Sequence, residues 1–311
     1  MLSIKGDLFF VVPIGKAKIM FNAHRIYSYD QVMSYFNDFE LQEFSLIPDQ
    51  TDDALVINAT KEEADKQTYA CGCFWFKKKV MSVGTSNESV RQEWLEKVLT
   101  GIPSGLRILD AGAGELANKK YCRHLEYISQ DFCQYEGLGD NKGLQTGAWD
   151  TDQIDLVSDI TDIPEVDESF DVILCSEVLE HLSNPVLALQ ELQRLLKKGG
   201  SIIITAPFCS LTHFSPHHYS TGFNRYFYEC HFNRLGFEIV EISKNGNFFE
   251  YLGQEIRRIP SIANKHTASK VARLEKVAIK MVLKMLDRFS KQDEGSDELL
   301  CFGYHVLAKK L

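Results

Sequence analysis

Three acidic residues, each following a short apolar run, have the spacing of a ligand-binding set. Asp110 closes Leu106-Arg-Ile-Leu109, Asp131 closes Tyr127-Ile-Ser-Gln130, and Asp159 follows Ile154-Asp-Leu-Val157. Directly after Asp110 comes Ala111-Gly112-Ala113-Gly114-Glu115, a strand running into a glycine-rich turn that opens a helix. Such a turn lets a ligand approach the backbone closely. By itself Gly112-x-Gly114-x-x-Ala117 also fits the relaxed dinucleotide fingerprint. Asp110 separates the readings, because a carboxylate there repels a pyrophosphate and attracts the ammonium of an amino-acid ligand. Asp131, about twenty residues on, stands where an acid accepts both ribose hydroxyls, with Phe132 beside it to lie against an adenine face. Asp159 and Ile160 suit the adenine edge, the carboxylate accepting from the exocyclic amine. Any one of these acids alone could be a helix cap or a turn former. Three at the carboxyl ends of successive strands mark the edge where open α/β sheets bind ligands.

A second cluster could serve the ligand's reaction partner. Thr212-His213-Phe-Ser-Pro-His217-His218-Tyr219 places three histidines within six residues, just after a strand. Each is a candidate base or anchor for an acceptor, with loop packing as the plainer alternative. No nearby carboxylate or cysteine completes an obvious ligand set in the sequence, so no metal site is expected. His181, in Glu180-His181-Leu182, is equally compatible with a place near the donor and with a helix start.

These residues need a scaffold that brings strand ends together. Thr85-x-x-Glu88 reads as a capping box before an apolar face of Val90, Trp94, Leu95, Val98 and Leu99. Phe170-Asp-Val-Ile-Leu-Cys175 is a buried strand, Pro185 opens a helix that Gly199-Gly200 ends, and Ser201-Ile-Ile-Ile-Thr-Ala206 follows as the next strand. Helices alternating with buried apolar strands imply a parallel sheet covered on both faces. Phe237–Ile242 and Leu300–Ala308 close the set. Between them lies a helical insertion, about residues 246–298, with Val271, Leu274, Ala278, Met281, Met285 and Phe289 at helical spacing. It is expected to pack on its own domain, with a lid or dimer contact as the alternative.

Composition bounds the partners. The 311 residues carry a formal charge of −9, which leaves no basic surplus for a nucleic-acid backbone. No apolar run reaches the roughly 18–20 residues of a membrane span. The eight cysteines show neither paired nor zinc-type spacing, so they read as reduced thiols and the expected location is cytoplasmic.

Leu109-Asp-Ala-Gly-Ala-Gly114, Asp159-Ile160, Phe170-Asp-Val-Ile-Leu-Cys-Ser-Glu-Val-Leu-Glu-His-Leu182 and Leu196-Lys-Lys-Gly-Gly200 together resemble, in order and spacing, the motifs of class I S-adenosylmethionine-dependent methyltransferases of the type 11 kind. The resemblance spans about residues 86–245 plus the final strand. It implies a Rossmann-like α/β fold, a seven-stranded, mostly parallel sheet whose last strand is antiparallel, with S-adenosyl-L-methionine as cofactor. Asp110, Gly112 and Gly114 would line the methionyl and ribose region, Asp131 the ribose, Phe132, Asp159 and Ile160 the adenine, and Glu177 the methionyl group and substrate. The histidine loop and the Asn-Gly-Asn-Phe-Phe-Glu-Tyr251 segment resemble enzymes of polysaccharide or surface-glycan synthesis, implying O-methylation of a small or sugar-like acceptor. Phe248, Phe249, Tyr251, Gln254 and the Arg257-Arg258 pair would suit a sugar ring or a phosphorylated group. The rival readings are a non-catalytic nucleotide-fold binding protein and an NAD-dependent oxidoreductase.

Residues 1–80 echo the later sequence. Leu8–Pro13 parallels Ile202–Pro207, Phe21-x-x-His24 parallels Phe214-x-x-His217, Phe39-Glu40 parallels Phe237-Glu238, and Gly72–Phe76 parallels Gly303–Leu307. This stretch also resembles the C-terminal part of a DUF268-type family. The expectation is a small partial α/β module without a cofactor site, before a methyltransferase domain at 84–311. The module and the helical insertion are the candidate surfaces for homo-oligomer contacts.

Overall fold

The computed structural model describes residues 7–19, 25–36, 39–49, 55–78, 82–137, 139–140, 143–144, 147 and 149–311. The chain divides into two compact units, Met1–Met81 and Ser82–Leu311. No helix among the described residues is long and apolar enough to cross a membrane.

The first unit runs β1 (Asp7–Ile14), the short pair β2 (Lys18–Ile19) and β3 (Arg25–Ile26), α1 (Tyr29–Tyr35), β4 (Phe39–Ile47), α2 (Lys61–Asp65) and β5 (Ala70–Lys78). Strand β5 lies between β1 and β4 and is antiparallel to both. Alternation along the strands turns Val12, Ile14, Phe44, Leu46, Phe74 and Phe76 into one core, closed by Val32 and Ala64 of the helices. Both helices start on capping boxes, Ser28 with Gln31 and Thr60 with Glu63.

The second unit runs α3 (Asn87–Thr100), β6 (Arg107–Ala111), β7 (Glu126–Asp131), β8 (Leu156–Val157), β9 (Phe170–Ser176), α4 (Pro185–Leu195), β10 (Leu196–Pro207), α5 (Arg225–Arg234), β11 (Phe237–Asn245), α6 (Phe248–His266), α7 (Arg273–Ser290) and β12 (Gly303–Lys310). Its sheet has the order β11-β12-β10-β9-β6-β7-β8. Strands β6 to β10 are mutually parallel, and β12 is antiparallel to both neighbours. This is the expected seven-stranded, mostly parallel Rossmann-like sheet.

The central strands are covered on both faces, which is why they read as continuous apolar runs. On one side Leu189, Leu192 and Leu195 of α4 and Tyr228 and Phe232 of α5 pack on Ile173, Ile202 and Ile204. On the other, Leu95 and Leu99 of α3 pack on Ile108, Leu174 and Ile203. With the strands parallel, the carboxyl ends of β6, β7, β9 and β10 finish along one edge.

Three local expectations differ from the structure. Helix α3 starts at Ser86 with no side-chain cap, because the Thr85 hydroxyl donates to the Ser82 carbonyl instead. Helix α4 ends at Leu195, and Gly199-Gly200 lies inside β10 where its register against β9 shifts. The apolar stripe of α7 does not face its own domain: Leu274 is 84% exposed and Met281 68%, while Leu286 supplies the buried face. The hairpin is held instead through α6, where the Glu250 carboxylate accepts from Gly84 N at 2.7 Å and from Ser290 Oγ at 3.1 Å.

The two sheets share internal geometry. Pro13 faces Cys71 as Pro207 faces Gly303, Leu8 faces Phe76 as Ile202 faces Ala308, and Phe39 faces Lys78 as Phe237 faces Lys310. The ladder slips between Leu41 and Glu43 in β4 and between Ile239 and Glu241 in β11, the same place in both. Tyr27 N donates to the Pro13 carbonyl at 3.0 Å, and Phe223 N to the Pro207 carbonyl at 2.8 Å. The Gly72–Gly303 pairing read from the sequence is off by one, since Cys71 occupies the place of Gly303. Phe21 and His24 lie outside the described residues.

Leu192 is fully buried between α4 and the sheet. Leu192→Ala should cost roughly 2–5 kcal/mol of stability, read as a lower denaturant midpoint with the slope unchanged.

Candidate functional site

The turn after β6 is built by backbone bonds to β7. Gly112 N and Ala113 N both donate to the Gln130 carbonyl, at 2.8 and 2.9 Å, and Gly114 N donates to Asp131 Oδ2 at 3.0 Å. Gly112 has φ +76°, and a Cβ there would meet Val178 at 2.5 Å. A Cβ on Gly114, at φ +50°, would press on the Trp149 ring at 3.0 Å. Both glycines are therefore required by close packing as well as by backbone conformation.

A cavity of about 410 Å³ opens at this edge of the sheet. Gly112, Asp131, Phe132, Asp159, Ile160 and Glu177 line it, so six of the eight residues expected to hold the cofactor meet at one cavity. Asp131 is buried and its Oδ1 accepts from Cys133 N at 2.9 Å, which leaves further lone pairs for hydroxyl donors. Asp159 forms an Asx turn, its Oδ1 accepting from the backbone and hydroxyl of Thr161 at 2.8 Å each. Asp159 is thus both a turn former and a cavity-lining residue.

Asp110 and Gly114 do not line the cavity. Asp110 is 1% exposed and accepts from Tyr127 Oη at 2.6 Å. Burial pushes its carboxyl up to about 7, against the lowering effect of the Tyr127 bond and with a further push from Asp131.

A second cavity, about 320 Å³, adjoins the first, and Glu177, His181 and Phe214 line both. Glu177 follows β9 at φ +57°, a conformation that a non-glycine residue keeps only where its surroundings fix it. Here they do: Glu177 N donates to the Thr205 carbonyl at 2.8 Å, Oε1 accepts from Thr205 Oγ1 at 3.0 Å, and Oε2 pairs with Arg91 at 2.9 Å. The second cavity is polar, with Asn87, Arg91, Asn245, Gln254 and Arg258 in its walls. Sequence reasoning missed Asn87 and Arg91, which come from the first turns of α3 and carry no motif, and it singled out the segment that Asn245 opens without giving Asn245 itself a role. Of the Arg pair, Arg258 reaches the cavity, while Arg257 bonds Val83 O and Ser82 Oγ.

The three loop histidines separate. His213 lines the second cavity, His217 lines the first and meets the Phe132 ring edge-on at 5.1 Å, and His218 lines neither. His181 joins them: its ring centroid is 4.7 Å from that of His213 and 5.8 Å from that of His218. Burial, and then the neighbouring His213 ring, push His181 down to about 3, so it is neutral across the physiological range. Beside these rings lies Glu180, 0% exposed, with neither carboxyl oxygen hydrogen-bonded. Burial and the nearby Glu177 hold its carboxyl well above the usual range. Glu180 is the carboxylate that no spacing rule revealed, because it reaches the loop histidines only through the fold.

Residues 109–204 match the family described as "Methyltransferase domain". The second unit holds a class I S-adenosylmethionine-dependent methyltransferase domain. The cofactor of this methyltransferase domain is S-adenosyl-L-methionine. Among curated proteins, the chain is 31% identical over 161 residues to a demethylmenaquinone methyltransferase of Clavibacter sepedonicus, covering 50% of this chain and 60% of that protein. It is 29% identical over 190 residues to a demethylmenaquinone methyltransferase of Renibacterium salmoninarum, covering 60% of this chain and 72% of that one. A solved SAM-dependent methyltransferase from Archaeoglobus fulgidus is 17% identical, with a TM-score of 0.41 over 72% of this chain and 95% of that one.

The donor set fits this cofactor. A buried strand-end carboxylate with lone pairs to spare, an aromatic ring and an isoleucine beside it, and acids rather than cations at the glycine turn suit a nucleoside with a cationic amino-acid end.

The burial of Asp110 sets a pH dependence. Its proton is held below about pH 7, and a cationic ligand end near it selects the ionised carboxylate, so binding expels that proton. Affinity for S-adenosylmethionine should therefore fall as pH drops below about 7, by at most about tenfold per unit, and level off above it. Calorimetry across pH should show this slope in the natural chain and lose it in Asp110→Asn.

Proposed function

We propose that the chain methylates a hydroxyl of a small or sugar-like polar acceptor. The observation that carries this reading is the pair of cavities meeting at Glu177, His181 and Phe214, one with acids suited to a nucleoside and the other polar. In this reading Asp131 accepts from the ribose hydroxyls, Phe132 and Ile160 flank the adenine, and Asp159 accepts from its amine. Asp110 acts from beneath the glycine turn as a buried charge rather than as a contact. S-adenosylmethionine, when bound, supplies a methyl group already activated on a sulfonium, so holding the acceptor in line contributes much of the rate. Asn87, Asn245, Gln254 and Arg258 supply the hydrogen bonds that orient a hydroxyl-rich acceptor. Glu177, clamped by Arg91 and Thr205, fixes the wall between the two cavities.

His213 is the histidine that engages the acceptor hydroxyl. Its Nδ1 donates to the Leu211 carbonyl at 2.8 Å, which leaves Nε2 with its lone pair in the acceptor cavity. His213→Ala should lower kcat by roughly 10²–10⁴-fold with donor affinity near that of the natural chain. The measurement is transfer of labelled methyl to a panel of sugar nucleotides and glycan precursors. Full turnover in His213→Ala would move the acceptor's proton chemistry elsewhere.

For residues 7–78, we infer a half-copy of the methyltransferase sheet, equivalent to β10, β12 and β11, without the strands that carry a cofactor edge. Shared register, a shared slip and the shared return bond to the proline carbonyl support this reading. A chain beginning at Ser82 should keep S-adenosylmethionine affinity within about threefold. Loss of binding in a shortened chain whose circular dichroism remains native would give residues 1–81 a part in the site.

A further inference from the structure

We infer that His181, His213, His218 and Glu180 form a binding site for one divalent transition-metal ion of the zinc class. The site stands in the wall of the acceptor cavity. Among the described residues these three histidines present ring nitrogens that all lie within 4.8 Å of one another. They converge from two segments, the turn after β9 and the loop after β10.

Hydrogen bonding fixes how two of the rings are protonated. His181 Nδ1 lies 2.6 Å from the His217 carbonyl and His213 Nδ1 lies 2.8 Å from the Leu211 carbonyl. A carbonyl can only accept, so each Nδ1 carries the proton and each Nε2 keeps its lone pair. Imidazoles that ligate metals are commonly oriented in this way, by a backbone carbonyl on the far nitrogen. The two Nε2 atoms lie 3.7 and 3.8 Å from Glu180 Oε1, too long for hydrogen bonds. Neither oxygen of Glu180, nor Nε2 of His181, nor either ring nitrogen of His218 has a hydrogen-bond partner, and all are buried. Five such atoms in one corner are costly to leave unpaired, and the lone pair of His181 Nε2 and an ionised Glu180 carboxylate cannot satisfy each other.

One cation resolves the conflict. Three imidazoles and one carboxylate are a donor set that zinc accepts, with ligand atoms roughly 2.0–2.2 Å from the ion and hence about 3.3 Å from each other. The Glu180 oxygen lies about half an ångström beyond that from His181 and His213, and the three ring nitrogens lie within 4.8 Å of one another, so the site closes by rotation of these side chains toward the ion. Its role in transfer rests on the hydroxyl-acceptor reading: with Nε2 of His213 on the ion, that histidine would act on the acceptor through the metal, which would bind the acceptor oxygen and lower the pKa of its proton. Binding of the metal does not rest on that reading.

The test uses the untagged full-length chain, stripped with chelator and dialysed against zinc. Mass spectrometry of the metal should find about one zinc per chain, and cobalt in its place should give the visible bands of a low-coordinate nitrogen and oxygen site. Both signals should disappear in His213→Ala and in His218→Asn, the latter lining neither cavity, while Glu180→Gln should weaken zinc at least tenfold. Circular dichroism and S-adenosylmethionine calorimetry confirm that each variant is folded. A natural chain that takes up no zinc at micromolar free metal overturns the inference without need of any variant. So does zinc uptake undiminished in His213→Ala and His218→Asn. Methyl transfer by a chain that binds no zinc would overturn the metal site and leave the proposed function standing. Stoichiometric zinc without transfer to any hydroxyl acceptor would do the reverse.

Discussion

Parallel pairing of β9 between β6 and β10 is the constraint on which the rest of the second unit depends. Because Ile108, Leu109 and Asp110 lie opposite Val172, Ile173 and Leu174, and Ser176 lies opposite Thr205, the carboxyl ends of these strands finish together. Residues 110, 131 and 177, far apart in the chain, thereby come to one edge. The glycine turn then locks that edge, since Gly112 and Ala113 share the Gln130 carbonyl and Gly114 is tied to Asp131. An antiparallel sheet with the same side chains would scatter these acids between opposite ends.

Concentrating polar groups at a buried edge carries an energetic cost, and the structure shows how most of it is met. Asp131 and Glu177 have backbone, hydroxyl or guanidinium partners, and Asp110 has the Tyr127 hydroxyl. The Glu180 carboxyl, Nε2 of His181 and both ring nitrogens of His218 do not have such partners. A fold that satisfies its other strand-end carboxylates so fully, yet leaves this corner unpaired, places the discrepancy in the wall of the second cavity. Buried polar groups left unmatched in a native fold commonly belong to function rather than to stability.

The first unit repeats the strand register of the antiparallel part of the larger sheet. Its three strands reproduce the antiparallel part of the larger sheet, including the slip in the ladder, but there is no parallel pair among its named strands. This sheet holds a core of Phe44, Phe74 and Phe76.

The sequence by itself determined the sheet and placed the glycine turn and the acids at its carboxyl edge. Runs such as Ile202-Ile203-Ile204 are buried on both faces and leave no ambiguity of period, and the glycines and acids of the cofactor edge lie within short motifs whose spacing is local. It also carried the echo of β10 and β11 in residues 8–43, because strand length and turn position are written along the chain. The second cavity was decided only by the tertiary structure. Asn87 and Asn245 are 158 residues apart yet hydrogen-bonded at 2.9 Å, and no local pattern joins the two. The α7 stripe had the period of a packed helix, but periodicity states which residues share a face and not what covers it. For Glu180 the reason is the same: three histidines within six residues are visible in the sequence, whereas their carboxylate arrives from another strand end. Spacing along a chain records neighbours within one element, and contacts between elements exist only once the sheet has formed.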